Sequence, residues 1–243
     1  MTNLPRPVNA DLPAFRERLE RIRGQMAQAA RRAGRDPAAV RLIGATKTVP
    51  AERLIEALAA GLSDLGENRV QETEAKIDRI ERASQSVRPR WHLIGPLQSN
   101  KAARAARLFD RVHSVDRPEI ARSLARHAGE AGRSLAVMIE VNVSGEQSKF
   151  GVAPEALEAL ASEVAALRPL ALDGLMTLGP RPAPGVDPRP AFARLRELRD
   201  RAERACGLLL PELSMGMSSD FEVAIEEGST MVRIGTALFG ARA

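Results

Sequence analysis

Tyrosine is absent from this 243-residue chain, and aromatic residues make up only 3% of it. A mechanism that needs a phenol as acid or base therefore has to borrow one from another chain, and stacking platforms for nucleic-acid bases are scarce. Cysteine occurs once, at Cys206, so no intrachain disulfide can form, as suits a reducing cytoplasm. His92, His113 and His127 are the only histidines, and with the single cysteine they form no cluster of zinc-ligand spacing. No apolar run approaches the roughly 20 residues of a membrane span. The opening Met1-Thr2-Asn3-Leu4-Pro5-Arg6-Pro7 lacks the apolar core of a secretion signal, so a cytoplasmic protein is expected. Lysine is scarce as well: Lys47, Lys76, Lys101 and Lys149 are the only four among 36 basic residues. Where arginine supplies nearly all the positive charge, a retained lysine draws notice. Its amine can lose a proton near neutral pH and attack a carbonyl, which guanidinium cannot do. Codon usage with four leftovers is the competing explanation.

What is present is an ordinary mixture for a globular protein, 44% hydrophobic and 28% charged. The net charge of +5 raises the question of nucleic acid. Arginines alternate with acids along helical stretches, as in Arg16-Glu17-Arg18-Leu19-Glu20-Arg21, so the charge reads as a solvated face and no nucleic-acid partner is expected.

Residues 11 to 34 carry the clearest helical pattern. Leu12, Phe15, Leu19, Ile22, Met26, Ala29 and Ala33 recur at steps of three and four, with Asp11 as N-cap and Gly34 as stop. Eight short apolar runs follow, at residues 40–45, 62–66, 91–95, 111–115, 136–143, 172–178, 212–215 and 231–235, each but the last leading into a helical stretch. Strand–helix alternation implies a parallel sheet. Eight units in this length, with no break in composition, predict one domain: a closed (β/α)8 TIM barrel over 40–240 with an extra N-terminal helix. An open, doubly wound sheet is the alternative. Gly179 to Pro190, rich in proline and without an apolar anchor, reads as a surface loop after the sixth strand, on the face where barrels bind ligands; it is either a lid or a passive connection.

Two places carry chemistry. Lys47 follows the first strand in Gly44-Ala45-Thr46-Lys47-Thr48-Val49-Pro50. A parallel barrel gathers its strand ends at one mouth, so this amine points toward a shared pocket, where desolvation would favour its neutral form; a surface lysine is the alternative. Ser214-Met215-Gly216-Met217-Ser218-Ser219-Asp220 follows strand seven, and Arg233-Ile234-Gly235-Thr236-Ala237 closes strand eight. Glycine allows close backbone approach, hydroxyls donate, and a helix starting near Ser219 would aim N–H groups outward, as a phosphate site requires. Ser218, Gly235 and Thr236 fit that role, whereas Asp220 would repel phosphate and reads as a helix cap.

A strand-end lysine and a phosphate cradle in one barrel mouth suggest pyridoxal 5′-phosphate (PLP), whose aldehyde condenses with an amine. Arg233 beside the cradle would face the ring nitrogen and leave it unprotonated, a poor electron sink.

With these residues the chain resembles the pyridoxal phosphate homeostasis proteins (the YggS/PROSC group). The resemblance runs from about residue 12 to 241 and rests on long motifs in order: Thr46-Lys47, Leu65-Gly66-Glu67-Asn68-Arg69-Val70-Gln71-Glu72, Trp91-His92-Leu93-Ile94-Gly95-Pro96-Leu97-Gln98-Ser99-Asn100-Lys101, Ser148-Lys149-Phe150-Gly151, Gly174-Leu175-Met176, Leu213-Ser214-Met215-Gly216-Met217-Ser218 and Gly228-Ser229-Thr230-Met231-Val232-Arg233-Ile234-Gly235-Thr236. Leu65 stands where family members commonly have phenylalanine. The resemblance implies a fold-type III barrel akin to the N-terminal domain of alanine racemase, with PLP held as a Schiff base on Lys47. It places Asn68 beside the cofactor, Ser218, Gly235 and Thr236 at the phosphate, and Arg233 at the ring nitrogen. It further implies a monomer that carries or buffers PLP, with PLP-dependent apoenzymes as possible recipients and no robust turnover. A racemase of this fold takes a second acid/base tyrosine from another domain, and this chain has no tyrosine. A racemase-like enzyme is the alternative, and a Schiff-base aldolase acting on sugar phosphates a third reading. Among the remaining candidates, His92 faces the pocket or is a hydrogen-bonded core histidine. Lys101 touches anions at the mouth or is solvated, Lys149 is a second cofactor contact, Lys76 is plain helix surface, and Cys206 packs.

Overall fold

A computed structural model describes residues 12–83, 88–146, 150–181 and 183–240. Eight parallel strands close into a barrel in sequence order: β1 (Arg41–Ala45), β2 (Asp64–Glu67), β3 (Arg90–Leu93), β4 (Arg111–Val115), β5 (Leu135–Glu140), β6 (Leu170–Met176), β7 (Glu212–Ser214) and β8 (Met231–Ile234). Closure is direct, with Leu42 of β1 opposite Val232 of β8. The open sheet is thereby excluded. Helices α2 (Ala51–Ala59), α3 (Val70–Ala83), α4 (Ala102–Leu108), α5 (Pro118–Glu130), α6 (Leu157–Ala166), α7 (Arg189–Cys206) and α8 (Phe221–Glu226) connect successive strands.

The preceding helix, α1 (Leu12–Arg32), buries Phe15, Leu19, Ile22, Met26, Ala29 and Ala30, the stripe its periodicity predicts, against α2, α8 and a short α9 (Thr236–Phe239). Gly34 follows it at φ +66°, the left-handed stop a side chain resists; Asp11 lies outside the described residues. The expectation that the last strand leads into no helix is wrong: α9 follows β8 at once. Arg189 and Pro190, assigned to the proline-rich loop, form the first turn of α7, where proline's missing N–H would have had no intrahelical partner. The described residues of 181–187 are exposed.

Alternate strand residues face opposite sides of the sheet, and the two sides differ sharply. Outward residues such as Leu42, Leu65, Trp91, Leu93, Val112, Val137, Leu213 and Val232 merge with the inner faces of the helices into one continuous core. Inside the barrel lies a separate small apolar group, Ile43, Met138 and Met231. Much of the remaining lumen is polar: His92, His113, Ser214 and Arg233 are all buried there and bonded to one another.

At the N-terminal mouth, charges from several strands interlock. Arg111 pairs with Asp173 at 2.6 Å and with Glu212 at 3.5 Å, Arg41 with Glu212 at 3.4 Å, and Arg90 with Asp64 at 2.9 Å. Burial raises the Asp173 carboxyl to about 6 against the pull of Arg111.

Candidate functional site

The C-terminal mouth of the barrel holds a cavity of about 720 Å³, within the usual range for small-ligand sites. Lys47, Asn68, Ser218, Arg233, Gly235 and Thr236 all line it. Residues from opposite ends of the chain thus meet around one space. Of the charged side chains lining it among the described residues, Lys47, Arg53 and Arg233 are cationic and Glu140 alone is acidic, a balance that suits an anionic ligand.

Lys47 sits in the turn between β1 and α2, is half-buried, and lines the cavity. The turn beneath it is strongly held. Thr48 has φ +64°, a conformation costly for a β-branched residue. The amide of Val49 donates to the Thr46 carbonyl at 3.0 Å, and Lys76 Nζ donates to the same oxygen at 2.8 Å.

Lys76 is therefore no plain surface residue. From α3 it also pairs with the fully buried Glu67 Oε1 at 2.6 Å, an oxygen that accepts from Thr46 Oγ1 at 2.5 Å as well. Glu67 Oε2 is buried without a partner among the described residues, and desolvation raises the carboxyl's pKa in spite of Lys76. Helical periodicity alone could not show this, because the partner lies on a strand nine residues earlier in the chain.

Asn68, just past β2, is fixed by Gly95. A Cβ at position 95 would lie 2.5 Å from the Asn68 carbonyl oxygen, so glycine there lets the loop after β3 press on Asn68.

The other end of the cavity is built by the loops after β7 and β8. Gly216 adopts φ +95°, and a Cβ there would come within 2.6 Å of Ala224, so the loop reaches Ser218 only through glycine. Asp220 precedes α8, which begins at Phe221 rather than near Ser219. Its carboxylate turns back to accept from the Met217 amide at 2.6 Å instead of capping the helix. Ser218 Oγ accepts from Ala237 N at 3.4 Å, which ties this loop to the first turn of α9. Gly235 caps α9 and Thr236 begins it, and Thr236 is exposed. Of the first-turn amides, Ala237 is taken by Ser218 and Leu238 by the Gly235 carbonyl, which leaves that of Thr236 as the donor without a described acceptor.

Arg233 lies between these two ends. It is 3% exposed, its Nη1 donates to Ser214 Oγ at 2.6 Å and its Nη2 to the Thr177 carbonyl at 2.8 Å. No described carboxylate forms an ion pair with it. Desolvation lowers its pKa to about 10, moderated by the more distant Glu140 and Asp220. A guanidinium carries five N–H donors; these two bonds use two of them, and Arg233 lines the cavity.

Glu140, at the end of β5, is the group that reading the sequence missed. It is 4% exposed, lines the cavity, and has no hydrogen-bond partner for its carboxyl among the described residues. Burial raises its pKa to about 7, although Arg233 draws it down. The available signal was period-two alternation: Met138 and Glu140 must share the inner face.

His92 and His113 lie in the lumen behind Arg233 rather than on the cavity wall, so His92 is the hydrogen-bonded core histidine of the two readings. Lys101 ends a short 3-10 turn before α4 and is not among the lining residues. Lys149 lies outside the described residues. Cys206 closes α7, half-buried, with Ser162 Oγ donating to its sulfur at 3.3 Å.

The alanine racemase N-terminal domain family matches residues 13–243. The pyridoxal phosphate homeostasis protein of Pseudomonas aeruginosa is 49% identical over 226 residues, spanning 93% of this chain and 95% of that protein. That of Aquifex aeolicus is 45% identical over 226 residues, spanning 93% and 97%. The chain belongs to the pyridoxal phosphate homeostasis protein family. Among solved structures, PipY of Synechococcus elongatus with PLP bound superposes with a TM-score of 0.82 at 38% identity, over 93% of this chain and 100% of that one. An alanine racemase of Clostridium difficile superposes at 0.70 with 14% identity over 94% of this chain and 56% of that one, which shows the shared barrel alone. The family member described here thus carries the barrel of the racemases.

Proposed function

We propose that this protein binds PLP covalently through Lys47 Nζ and serves as an intracellular carrier or buffer of the cofactor, without robust turnover. When bound, the cofactor supplies an aldehyde that condenses with a primary amine and a ring that can draw electrons. The observation that carries the reading is Arg233, a buried guanidinium without an ion-pair partner among the described residues, in the same cavity as the amine of Lys47 and the hydroxyl and backbone donors of Ser218, Gly235 and Thr236.

In this reading Ser218, Gly235 and Thr236 hold the phosphate and Asn68 contacts the ring edge. Arg233, which does not surrender a proton usefully at neutral pH, keeps the ring nitrogen unprotonated and so restrains carbanion chemistry. Residues 1–243 act as one cofactor-binding domain, monomeric and cytoplasmic, from which PLP-dependent apoenzymes receive the cofactor.

The test is borohydride trapping of the purified protein with PLP, followed by peptide mapping. The label falls on Lys47, and Lys47→Arg keeps the charge but loses the label and the visible absorbance. A label on Lys149, or an unchanged spectrum in Lys47→Arg, overturns the assignment. Glu140 favours a second reading, a racemase-like activity. A carboxyl in the cavity that titrates near neutrality can act as acid or base. Exchange of amino-acid α-hydrogen with deuterated solvent, abolished in Glu140→Gln, would establish it.

A further inference from the structure

The barrel lumen contains a continuous line of hydrogen bonds that the cofactor site does not account for. Asp64, the first residue of β2 at the N-terminal mouth, lies 3.0 Å from His92 Nε2. His92 Nδ1 lies 2.9 Å from His113 Nε2, and His113 Nδ1 lies 2.9 Å from Ser214 Oγ. Ser214 Oγ then accepts from Arg233 Nη1 at 2.6 Å. Asp64, His92, His113 and Ser214 are each no more than 3% exposed. None of the four lines the cavity.

We propose that His92 and His113, anchored by Asp64, are positioning residues for Arg233: they form a one-way hydrogen-bond chain that fixes the guanidinium in the cofactor cavity from the opposite mouth of the barrel.

The sense of the chain follows from donor counting. Arginine only donates, so Nη1 takes one lone pair of Ser214 Oγ; ionised Asp64 only accepts, so with both rings neutral the hydroxyl's proton goes to His113 Nδ1. His113 then carries its proton on Nε2 and donates to His92 Nδ1. His92 carries its proton on Nε2 and donates to Asp64 Oδ1. The reverse sense would leave the bare Nε2 lone pair of His92 against a carboxylate.

That carboxylate is ionised. Burial opposes its charge, but hydrogen bonds from His92, Ser63 and Arg90 outweigh burial and hold its pKa down to about 2. Both imidazoles are held neutral, foremost by desolvation, with Arg41 and Arg111 adding repulsion around the pair and Arg233 around His113, while Asp64 favours the charged form of His92. Ser214 on one arm of the guanidinium and the Thr177 carbonyl on the other fix its plane against the cavity it lines. The role toward PLP rests on the reading of Arg233 under Proposed function, whereas the chain itself does not.

The first arm of the test uses the cofactor-free protein. Imidazole nitrogen shifts of the ¹⁵N-histidine protein separate His92 and His113 from His127, which pairs with Glu130 on the surface. The expected result is neutral rings at pH 7 with the proton on Nε2 in both His92 and His113. An Nδ1–H tautomer or an imidazolium in either ring overturns the chain.

The second arm uses PLP. Ser214→Ala, with Lys47 still labelled by borohydride, is expected to bind PLP about tenfold more weakly and to shift the visible band, one charged hydrogen bond's worth of orientation. Ser214→Thr, which keeps the hydroxyl, restores both. Affinity and band unchanged in folded Ser214→Ala overturn the positioning role. Failure of the unmutated protein to take the label on Lys47 overturns the cofactor reading and the role toward it, while the tautomers still decide the chain.

Discussion

Glu140→Gln should make the cofactor-free protein more stable at alkaline pH, and the size of the gain follows from where the carboxyl sits. Burial at the end of β5 lifts its pKa from 4.5 to about 7. The folded state therefore holds the proton more tightly than the unfolded chain does. Sign follows from linkage: a group bound more tightly in the fold contributes stability that is complete below its unfolded pKa and disappears as pH rises through the folded one. Wild-type protein should thus lose about 3 kcal/mol from this one group between pH 4.5 and pH 8, at about 1.4 kcal/mol per pKa unit. Glutamine copies the neutral carboxyl in size and does not titrate, so all other ionisations cancel in the comparison. Urea unfolding of both proteins between pH 4.5 and 8.5 should give nearly equal stabilities at the acid end and a gap in favour of Glu140→Gln that opens as pH rises from about 4.5 and levels off above about 7.5. A gap that stays constant with pH would refute the argument, because Glu140 would then hold its proton no more tightly in the fold than in the unfolded chain.

Three further outcomes follow from the same geometry. Lys76→Met removes the partner of a fully buried carboxylate and should cost about 3–5 kcal/mol in urea unfolding; a loss below about 1 kcal/mol would return Lys76 to the surface class. Thr236→Ala should weaken PLP binding by about 1–3 kcal/mol, the range for one hydrogen bond to a charged acceptor, and unchanged affinity in a titration would move the phosphate elsewhere. Thr48→Gly should relieve about 1 kcal/mol of left-handed strain beside Lys47, while loosening the turn and slowing borohydride-trappable linkage; a variant less stable than wild type would show that the Thr48 side chain compensates for its backbone.

The periodicity of residues 12–32 and the eight apolar runs made the helix and the barrel legible, because a buried helix face and a parallel strand each leave a local repeat in the sequence. Even so, boundaries moved where chain geometry was ambiguous. Pro190 reads as a helix breaker, yet it occupies a first turn, where proline is tolerated. The four-residue α9 is too short to show a period.

The sequence by itself decided which chemistry was possible: an amine at a strand end, hydroxyl and glycine residues after the last two strands, an arginine between them and no tyrosine anywhere. Residue type and distance from a strand end are enough for that, since a parallel barrel carries all its strand ends to one mouth. Tertiary structure alone decided the partners. Lys76 meets Glu67, Asp64 reaches Arg233 through two histidines and Ser214, and Glu140 stands in the cavity without a hydrogen-bonding partner among the described residues, because barrel closure sets neighbours by register across strands far apart in the chain. Low dielectric then fixes charge states that composition cannot show: the same carboxyl group is held near 2 at Asp64 and near 7 at Glu140, according to whether hydrogen-bond donors surround it.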